Sequence, residues 1–542
     1  MERSRSSRVL MVLALALAMA SFVARPTNAV AARATAGGPG PVVTTGQGRL
    51  AGQVDGRAEE FLGVPYAAPP VGSLRFRPPV PPARWSGTRD ATRQAPACLQ
   101  FSPFGLRDPD NVSEDCLYLD VYRPRAAHPG DRLPVLFWIH GGGYSQGTGT
   151  QFGGRTMADL TGSVVVSVNY RLGQLGYLAL SELTRDNALD SGSYGLMDQI
   201  AALKWTRDNI AAFGGDPHDV TVWGQSAGSG SVCAVLTSPA TAGLFSRAIL
   251  QSGPCDLLRA PGKDQATDEA RAFAAAAGCP DPDTRPDCLR TAPAADLITA
   301  ARTHPTPGPA FGDGLLPAQP SAAIASGAWH KVPVLIGSNR AESRLFVALT
   351  QPHPTAQEYV DQIDATYGHA AQQVLAHYPV AAYPSPYDAL SAVLTDSTFA
   401  CHTLSTARTF ADQVPTYVYE FDDPHSPTLY GAQIPGVDMA NAHSAELAYL
   451  HDFTMGDRPL TAEQTVLGDD MKRRWAAFAR TGVPDVPGET QWPRIGARYP
   501  ALTLTPGNTR VSTGFATEHQ CDFWTRTVVT DGPSALLGGS PG

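Results

Sequence analysis

The chain has 542 residues, enough for a large core and, by length alone, for more than one domain. With 43% apolar and 17% charged residues it is composed like an ordinary globular protein, and a net charge of −9 without any Lys/Arg run argues against a nucleic-acid binder. The 52 glycines and 47 prolines predict many loops between elements, and no repeat of fixed period is present.

In chain order, Arg3, Arg5 and Arg8 precede an apolar run from Val9 to Val23 and a small-residue site at Thr27-Asn28-Ala29. This predicts a cleaved signal peptide over 1–29 and a secreted protein. The apolar run is short of the roughly 20 residues of a spanning helix, and no second such stretch follows, so no stable membrane span is expected. Residues 30–45 read as a flexible leader. Gly46 to Gly63 carries short alternating runs and turn residues, as a β-meander would, and the proline-rich stretch from Pro65 to Trp85 reads as extended. Leu117–Tyr122 is a predicted strand. Leu133–Ile139 and Ser163–Val168 are continuous apolar runs, the pattern of strands buried on both faces. Tyr194–Phe213 has helical spacing, with Leu196, Ile200, Leu203, Ile210 and Phe213 on one side. Asp219–Trp223 is a strand, Ser229–Leu236 a helix, and Arg247–Gln251, Val332–Ile336 and Thr416–Phe421 are further buried strands.

Strands alternating with helices predict an α/β fold with a mainly parallel central sheet and helices on both faces. Ala266–Ala325 and Gln351–Ala392 read as Ala-rich helical excursions above that sheet. No linker divides residues 46–530, which read as one unit, and 531–542 is a small-residue tail expected to be disordered.

The chemistry concentrates in Gly224-Gln225-Ser226-Ala227-Gly228. This is G-x-S-x-G placed between a strand and a helix, where the glycines permit a sharp turn that presents the serine hydroxyl. A serine hydroxyl needs a base, an acid to orient that base, and donors for an oxyanion. His140-Gly141-Gly142-Gly143 follows the buried strand ending at Ile139 and offers backbone N–H donors. Glu342 lies on the turn after the strand ending at Ile336 and is placed as the acid. Asp313, before that strand, is its rival. The order Ser, acid, His puts the base after the acid, where eight of the 13 histidines lie. His443 fits, in a loop ahead of an amphipathic run; His402, His425 and His451 are not excluded by spacing.

Eight cysteines, an even count in an exported chain, predict disulfides. There is no C-x-x-C and no zinc-type Cys/His spacing. Cys98 with Cys116, and Cys279 with Cys288, would close short loops and are the natural local pairs.

Longer motifs add to this. Phe61-Leu62-Gly63-Val64-Pro65-Tyr66-Ala67, Pro69-Pro70-Val71-Gly72-Ser73-Leu74-Arg75-Phe76, Ser113-Glu114-Asp115-Cys116-Leu117-Tyr118-Leu119 and Asn169-Tyr170-Arg171-Leu172-Gly173 resemble the type-B carboxylesterase and cholinesterase family of α/β-hydrolases. The likeness runs from about Gly46 to Arg526. It implies the α/β-hydrolase fold, with Ser226 as nucleophile, Glu342 as acid and His443 as base. It implies an oxyanion hole from the N–H groups of Gly142, Gly143 and Ala227, Ser252 beside the acid, and a buried Arg75–Glu114 pair. It implies disulfides Cys98–Cys116, Cys279–Cys288 and Cys401–Cys521, leaving Cys233 and Cys255 as a fourth bridge or two thiols. The implied function is a secreted serine carboxylesterase acting on small-molecule esters through an acyl-enzyme, with no metal or organic cofactor. The alternatives are a lipase for longer-chain acylglycerols and a non-catalytic binding protein; the intact serine, acid, base and glycine run count against the second. Two departures from the cholinesterase branch stand out. The Cys98–Cys116 loop has Phe101 and Phe104 but no tryptophan, and the family's glutamate before the nucleophile is the neutral Gln225.

Overall fold

The apolar runs that read as buried strands form the middle of one 11-stranded sheet. The structure, a computed structural model, describes residues 40–100, 111–183, 192–257, 260–304, 308–428, 434–453, 458–496 and 498–526. The expected signal segment, most of the leader, Phe101, Phe104 and the expected tail lie outside the described residues. The sheet comprises β1 (Gln53–Asp55), β2 (Ala58–Pro65), β3 (Tyr118–Pro124), β4 (Leu133–Ile139), β5 (Val164–Val168), β6 (Gly215–Gln225), β7 (Arg247–Gln251), β8 (Val334–Asn339), β9 (Thr416–Phe421), β10 (Ala501–Leu504) and β11 (Arg510–Ser512). Their order is β11-β10-β9-β8-β7-β6-β4-β5-β3-β2-β1. From β5 across to β10 every pairing is parallel, and the outer pairings are antiparallel.

Every residue of β5, β8 and β9 is buried, so both faces of the sheet centre are covered. Two helices that cover it are α1 (Tyr194–Asn209) and α2 (Ala227–Thr237). All of α2 is buried, which suits a helix of small and apolar residues without a charged face. A third, α3 (Ala462–Thr481), starts with a capping box between Thr461 and Gln464 and buries Trp475, which packs 5.3 Å from Tyr419 of β9.

Several expectations shift at their edges. The predicted meander is two structures: β1 and β2 finish the main sheet, whereas Val42–Thr44 and Arg49–Ala51 pair into a separate small sheet with Thr88–Asp90. The helix from Tyr194 ends at Asn209, and Ile210–Phe213 tightens into a 3-10 turn closed by Gly214 at φ 89°. Ahead of β6, the strand begins at Gly215 rather than Asp219. The run after His443 is the short helix Leu447–Leu450, buried throughout rather than amphipathic. The two excursions are helical: Lys263–Ala276, Arg285–Thr291, Ala294–Ala301 and Pro320–Ala325 lie between β7 and β8, and Arg344–Thr350 through Cys401–Ala411 between β8 and β9.

Disulfides join Cys98 to Cys116, Cys279 to Cys288, Cys401 to Cys521 and also Cys233 to Cys255. Arg75 meets Glu114 through two hydrogen bonds of 2.6 and 2.7 Å, and its remaining nitrogen donates to the carbonyls of Leu289, Arg290 and Ala292. Those three carbonyls sit at the end of a helix, where acceptors lack partners, so one guanidinium satisfies both a carboxylate and a helix terminus. No helix among the described residues is long and apolar enough to cross a membrane.

Candidate active site

β6 ends at Gln225, α2 begins at Ala227, and Ser226 forms the corner between them at φ 57° and ψ −125°. A non-glycine residue pays for that conformation, so the surroundings must hold it there. The Ser226 N–H donates to Gln251 O of the adjacent β7 at 2.8 Å. Gly228 lets α2 close against β4, because a Cβ there would run into the carbonyl of Ile139. The serine thus stands before the N-terminus of an 11-residue helix, whose dipole favours negative charge.

The end of β4 leads into the glycine run. A Cβ on Gly141 would lie 3.1 Å from Cβ of Ser226, so this loop passes directly beside the serine. Gly142 turns the chain at φ 108°, which only glycine adopts readily. The N–H groups of Gly142, Gly143 and Ala227 donate to no protein acceptor among the described residues. His140 anchors the loop from behind. Its ring stacks on Tyr170 at 4.4 Å, and its carbonyl accepts from the Tyr170 hydroxyl at 2.8 Å. Burial pushes this imidazole down to about 4, so it is neutral and adds no charge beside the serine.

β8 delivers the carboxylate. Glu342 is fully buried, with Oε1 accepting from the Asn339 N–H at 2.7 Å and Oε2 2.7 Å from His443 Nδ1. The base loop is laced to the acid's turn by backbone bonds, His443 N–H to Glu342 O and Ala341 N–H to Asn441 O. Asn441 and Ser444, on either side of His443, hold positive φ values of 58° and 72°. His443 Nε2 lies 3.2 Å from Nε2 of Gln225, the residue before the serine. Among the described residues no hydrogen bond joins the Ser226 hydroxyl to the ring; such bonds are often long until substrate arrives. Phe346 and Phe399 flank the imidazole at 5.1 and 5.2 Å and stack on each other at 5.8 Å. Phe399 belongs to a π-helical turn, Asp396–Ala400, a distortion often found at functional sites.

The rivals lie elsewhere in the fold. Asp313 accepts from the N–H groups of Leu315 and Leu316, the work of a turn aspartate. His402 pairs with Asp256 at 2.8 Å. His451 packs against both Trp138 and Trp223, which also touch each other, and burial pushes it down to about 3. His425 donates its N–H to Asp423. Ser252, expected beside the acid, bonds its N–H to Gly337 O, but its hydroxyl is buried with no hydrogen-bond partner among the described residues.

One member of the site is missing from the sequence reading. Glu446 is fully buried, with Oε1 accepting from Gln251 at 3.0 Å and Oε2 from Asn339 at 2.6 Å. Asn339 therefore bridges two carboxyl groups. Burial, and then the charge of Glu342, push Glu446 up to about 7. Its one signal in the sequence is a glutamate three residues after His443.

A parallel sheet with a serine elbow at the carboxyl end of a central strand defines an α/β-hydrolase. Comparison with known proteins narrows the class. The profile of the carboxylesterase family matches residues 39–524. The fumonisin B1 esterase of Sphingopyxis macrogoltabida is 36% identical over 472 residues, 83% of this chain and 84% of that protein. The para-nitrobenzyl esterase of Bacillus subtilis is 34% identical over 473 residues, 83% and 92% of the two chains. A solved PNB esterase superposes with a TM-score of 0.73 at 33% identity, covering 88% of this chain and 98% of its own. The chain belongs to the carboxylesterase family and is a carboxylic ester hydrolase.

Proposed function

We propose that this carboxylesterase is a secreted serine esterase in which Ser226, His443 and Glu342 act as nucleophile, base and acid. The observation that carries the reading is the 2.7 Å contact of His443 Nδ1 with Glu342, on a ring that also touches the residue before Ser226. An ionised carboxylate only accepts, so Nδ1 holds the ring's proton and Nε2 is free to act as base. In acylation, Nε2 takes the hydroxyl proton as Oγ bonds to the ester carbonyl carbon. The carbonyl oxygen becomes an oxyanion, with the N–H groups of Gly142, Gly143 and Ala227 as its donors. Collapse breaks the bond to the alcohol oxygen, which leaves with the proton from His443. Water then gives a proton to His443 as it attacks the acyl carbon, and Ser226 departs as the proton returns to it, releasing the acid.

The substrates are uncharged small-molecule esters. Phe346 and Phe399 give the base an apolar wall, and Gln225 puts no charge beside it. Secretion is supported by the basic and apolar N-terminal pattern and by four disulfides, which persist in oxidising compartments. The test is covalent labelling with a fluorophosphonate. Mass spectrometry should find one label per chain, on Ser226, and Ser226→Ala should abolish turnover of p-nitrophenyl acetate. A label on another residue, or an alanine variant within about tenfold of the parent, overturns the assignment.

A further inference from the structure

Gln225 is the last residue of β6, and it is buried. Its side chain reaches to the base loop, where its Nε2 faces His443 Nε2 at 3.2 Å. Two nitrogens at that distance can bond only if one donates and the other accepts. Proton roles follow from the partners. Nδ1 of the ring faces a Glu342 oxygen at 2.7 Å and must carry the proton there. Nε2 of the neutral ring is then a lone pair, and the Gln225 amide is the donor. The other neighbours of the ring offer it no hydrogen bond. Phe346 and Phe399 cover it from the Arg344–Thr350 helix and the π-helical turn, and both are uncharged. The titratable groups acting on it are Glu342, from the turn after β8, and Glu446, three residues along its own loop.

We propose that Gln225 is a positioning residue for the base: its amide N–H caps Nε2 of neutral His443, aims the lone pair toward the serine corner, and yields its place to the Ser226 hydroxyl when an ester binds. This rests on His443 being the base, as argued above. Glutamine suits the position because it is an uncharged donor. Its NH2 bonds to the neutral ring without adding charge, so the side chain does not act as a carboxylate would. A carboxylate in the same place accepts only. It would bond to the imidazolium alone and add a second negative charge beside a ring that already faces Glu342. A thioether of similar length would bond to neither form.

A glutamate in this place would favour the imidazolium, whereas the glutamine amide favours the neutral ring. The test is the pH profile of kcat/KM for p-nitrophenyl acetate with the intact disulfide-bonded protein, as parent, Gln225→Glu and Gln225→Met. Fluorophosphonate labelling of Ser226 in each reports whether the corner is intact. The acid limb should move up by about one pH unit or more in Q225E, the usual effect of a charge a few ångströms away, and up by less in Q225M. Limbs that coincide for parent and Q225E, with Ser226 still labelled, overturn the proposal, as does a downward shift in Q225M. If Q225E does not fold, Q225M decides alone: an upward limb supports the cap and a coincident one removes it. If the parent itself neither turns over esters nor labels at Ser226, the reading of the base has failed rather than that of Gln225.

Discussion

Ser226, Asn441 and Ser444 hold positive φ values within the few segments that surround the proposed base. Such strain persists only where neighbours over-determine it. Here the neighbours are backbone bonds from β7 and from the turn after β8, so the proposed reacting groups are placed by the sheet rather than by loops alone. If the proposed triad acts as a unit, its members are not additive. His443→Ala should cost most of the activity in the parent, and almost nothing further in a Ser226→Ala background, measured by residual kcat. A full second loss would give His443 another role. Glu446 yields a stability prediction. Its carboxyl is raised from 4.5 to about 7, so the folded state holds a proton that the unfolded chain releases earlier. Stability therefore falls as pH rises through that window. Glu446→Gln keeps the hydrogen bond from Gln251 and removes the fall, on the order of 3 kcal/mol at most. Denaturant melts at about pH 5 and pH 8 should show the variant gaining on the parent at the higher pH; equal gains at both would mean the carboxyl does not titrate in this window.

At the scale of elements, the C-terminal segment is tied to the body by a covalent and an ionic clasp. Cys401–Cys521 closes a loop of 120 residues, worth about 4 to 5 kcal/mol by chain entropy, a disputed account. Beside it, His519 places Nδ1 against Asp396 at 2.5 Å and Nε2 against Glu420 at 2.8 Å. Burial by itself would push this ring down, but the carboxylates of Asp396 and Glu420 outweigh it and raise it to about 10. A raised histidine stabilises fully below its unfolded value and loses that stabilisation as pH rises through the folded one. Between about pH 8 and 10.5 the parent's Tm should therefore fall faster than that of His519→Gln, since ordinary tyrosine and lysine titration is common to both. Parallel curves would mean the ring is not held as an imidazolium. Because Asp396 opens the π-helical turn that carries Phe399, this clasp reaches the wall beside His443. All eight cysteines are paired. Thiol counting on the denatured, unreduced protein should give none, and two or more would contradict the pairings. Spacing alone left Cys233 and Cys255 open, because what joins them is the packing of α2 against the loop after β7, a contact between elements.

For the whole molecule, the aromatic groups beside the site bear on substrate charge. A quaternary ammonium needs an aromatic face, tryptophan above all, with negative charge nearby. Two aromatic residues, Tyr144 after the glycine run and Phe346 beside the proposed base, offer no open tryptophan-like face. Tyr144 is buried against Tyr177, and Phe346 is stacked on Phe399. A choline ester should exceed its uncharged dimethylbutyl isostere by less than about tenfold in kcat/KM, or 1.4 kcal/mol. A preference above about a hundredfold would require a cation site that these residues do not form. A series of p-nitrophenyl esters of increasing acyl length then separates short-chain esterase from lipase behaviour: a peak at short acyl groups is expected, and a rate still rising at long chains would point to a lipase.

The sequence by itself determined what depends on neighbours in the chain. The continuous apolar run Leu133–Ile139 and the aromatic-rich segment Thr416–Phe421 read as strands of a doubly covered sheet, and β4 and β9 match them to the residue. Glycines around Ser226 declare a corner that no larger residue could form. Short or exposed elements were not legible. β10 has four residues and β11 three, too few for a period, and they are strands only because β9 offers an edge to β10 and β10 offers one to β11. The same holds within the site. A glutamate, a histidine and a glutamine at 342, 443 and 225 are ordinary polar residues in sequence. Tertiary structure decided that Glu342 rather than Asp313 meets a histidine, that His443 rather than His402 or His451 is the one met, and that Glu446 and Gln225 bear on that pair. The reason is physical: hydrogen bonds and desolvation act over a few ångströms of space, and about a hundred residues of chain separate the groups they join.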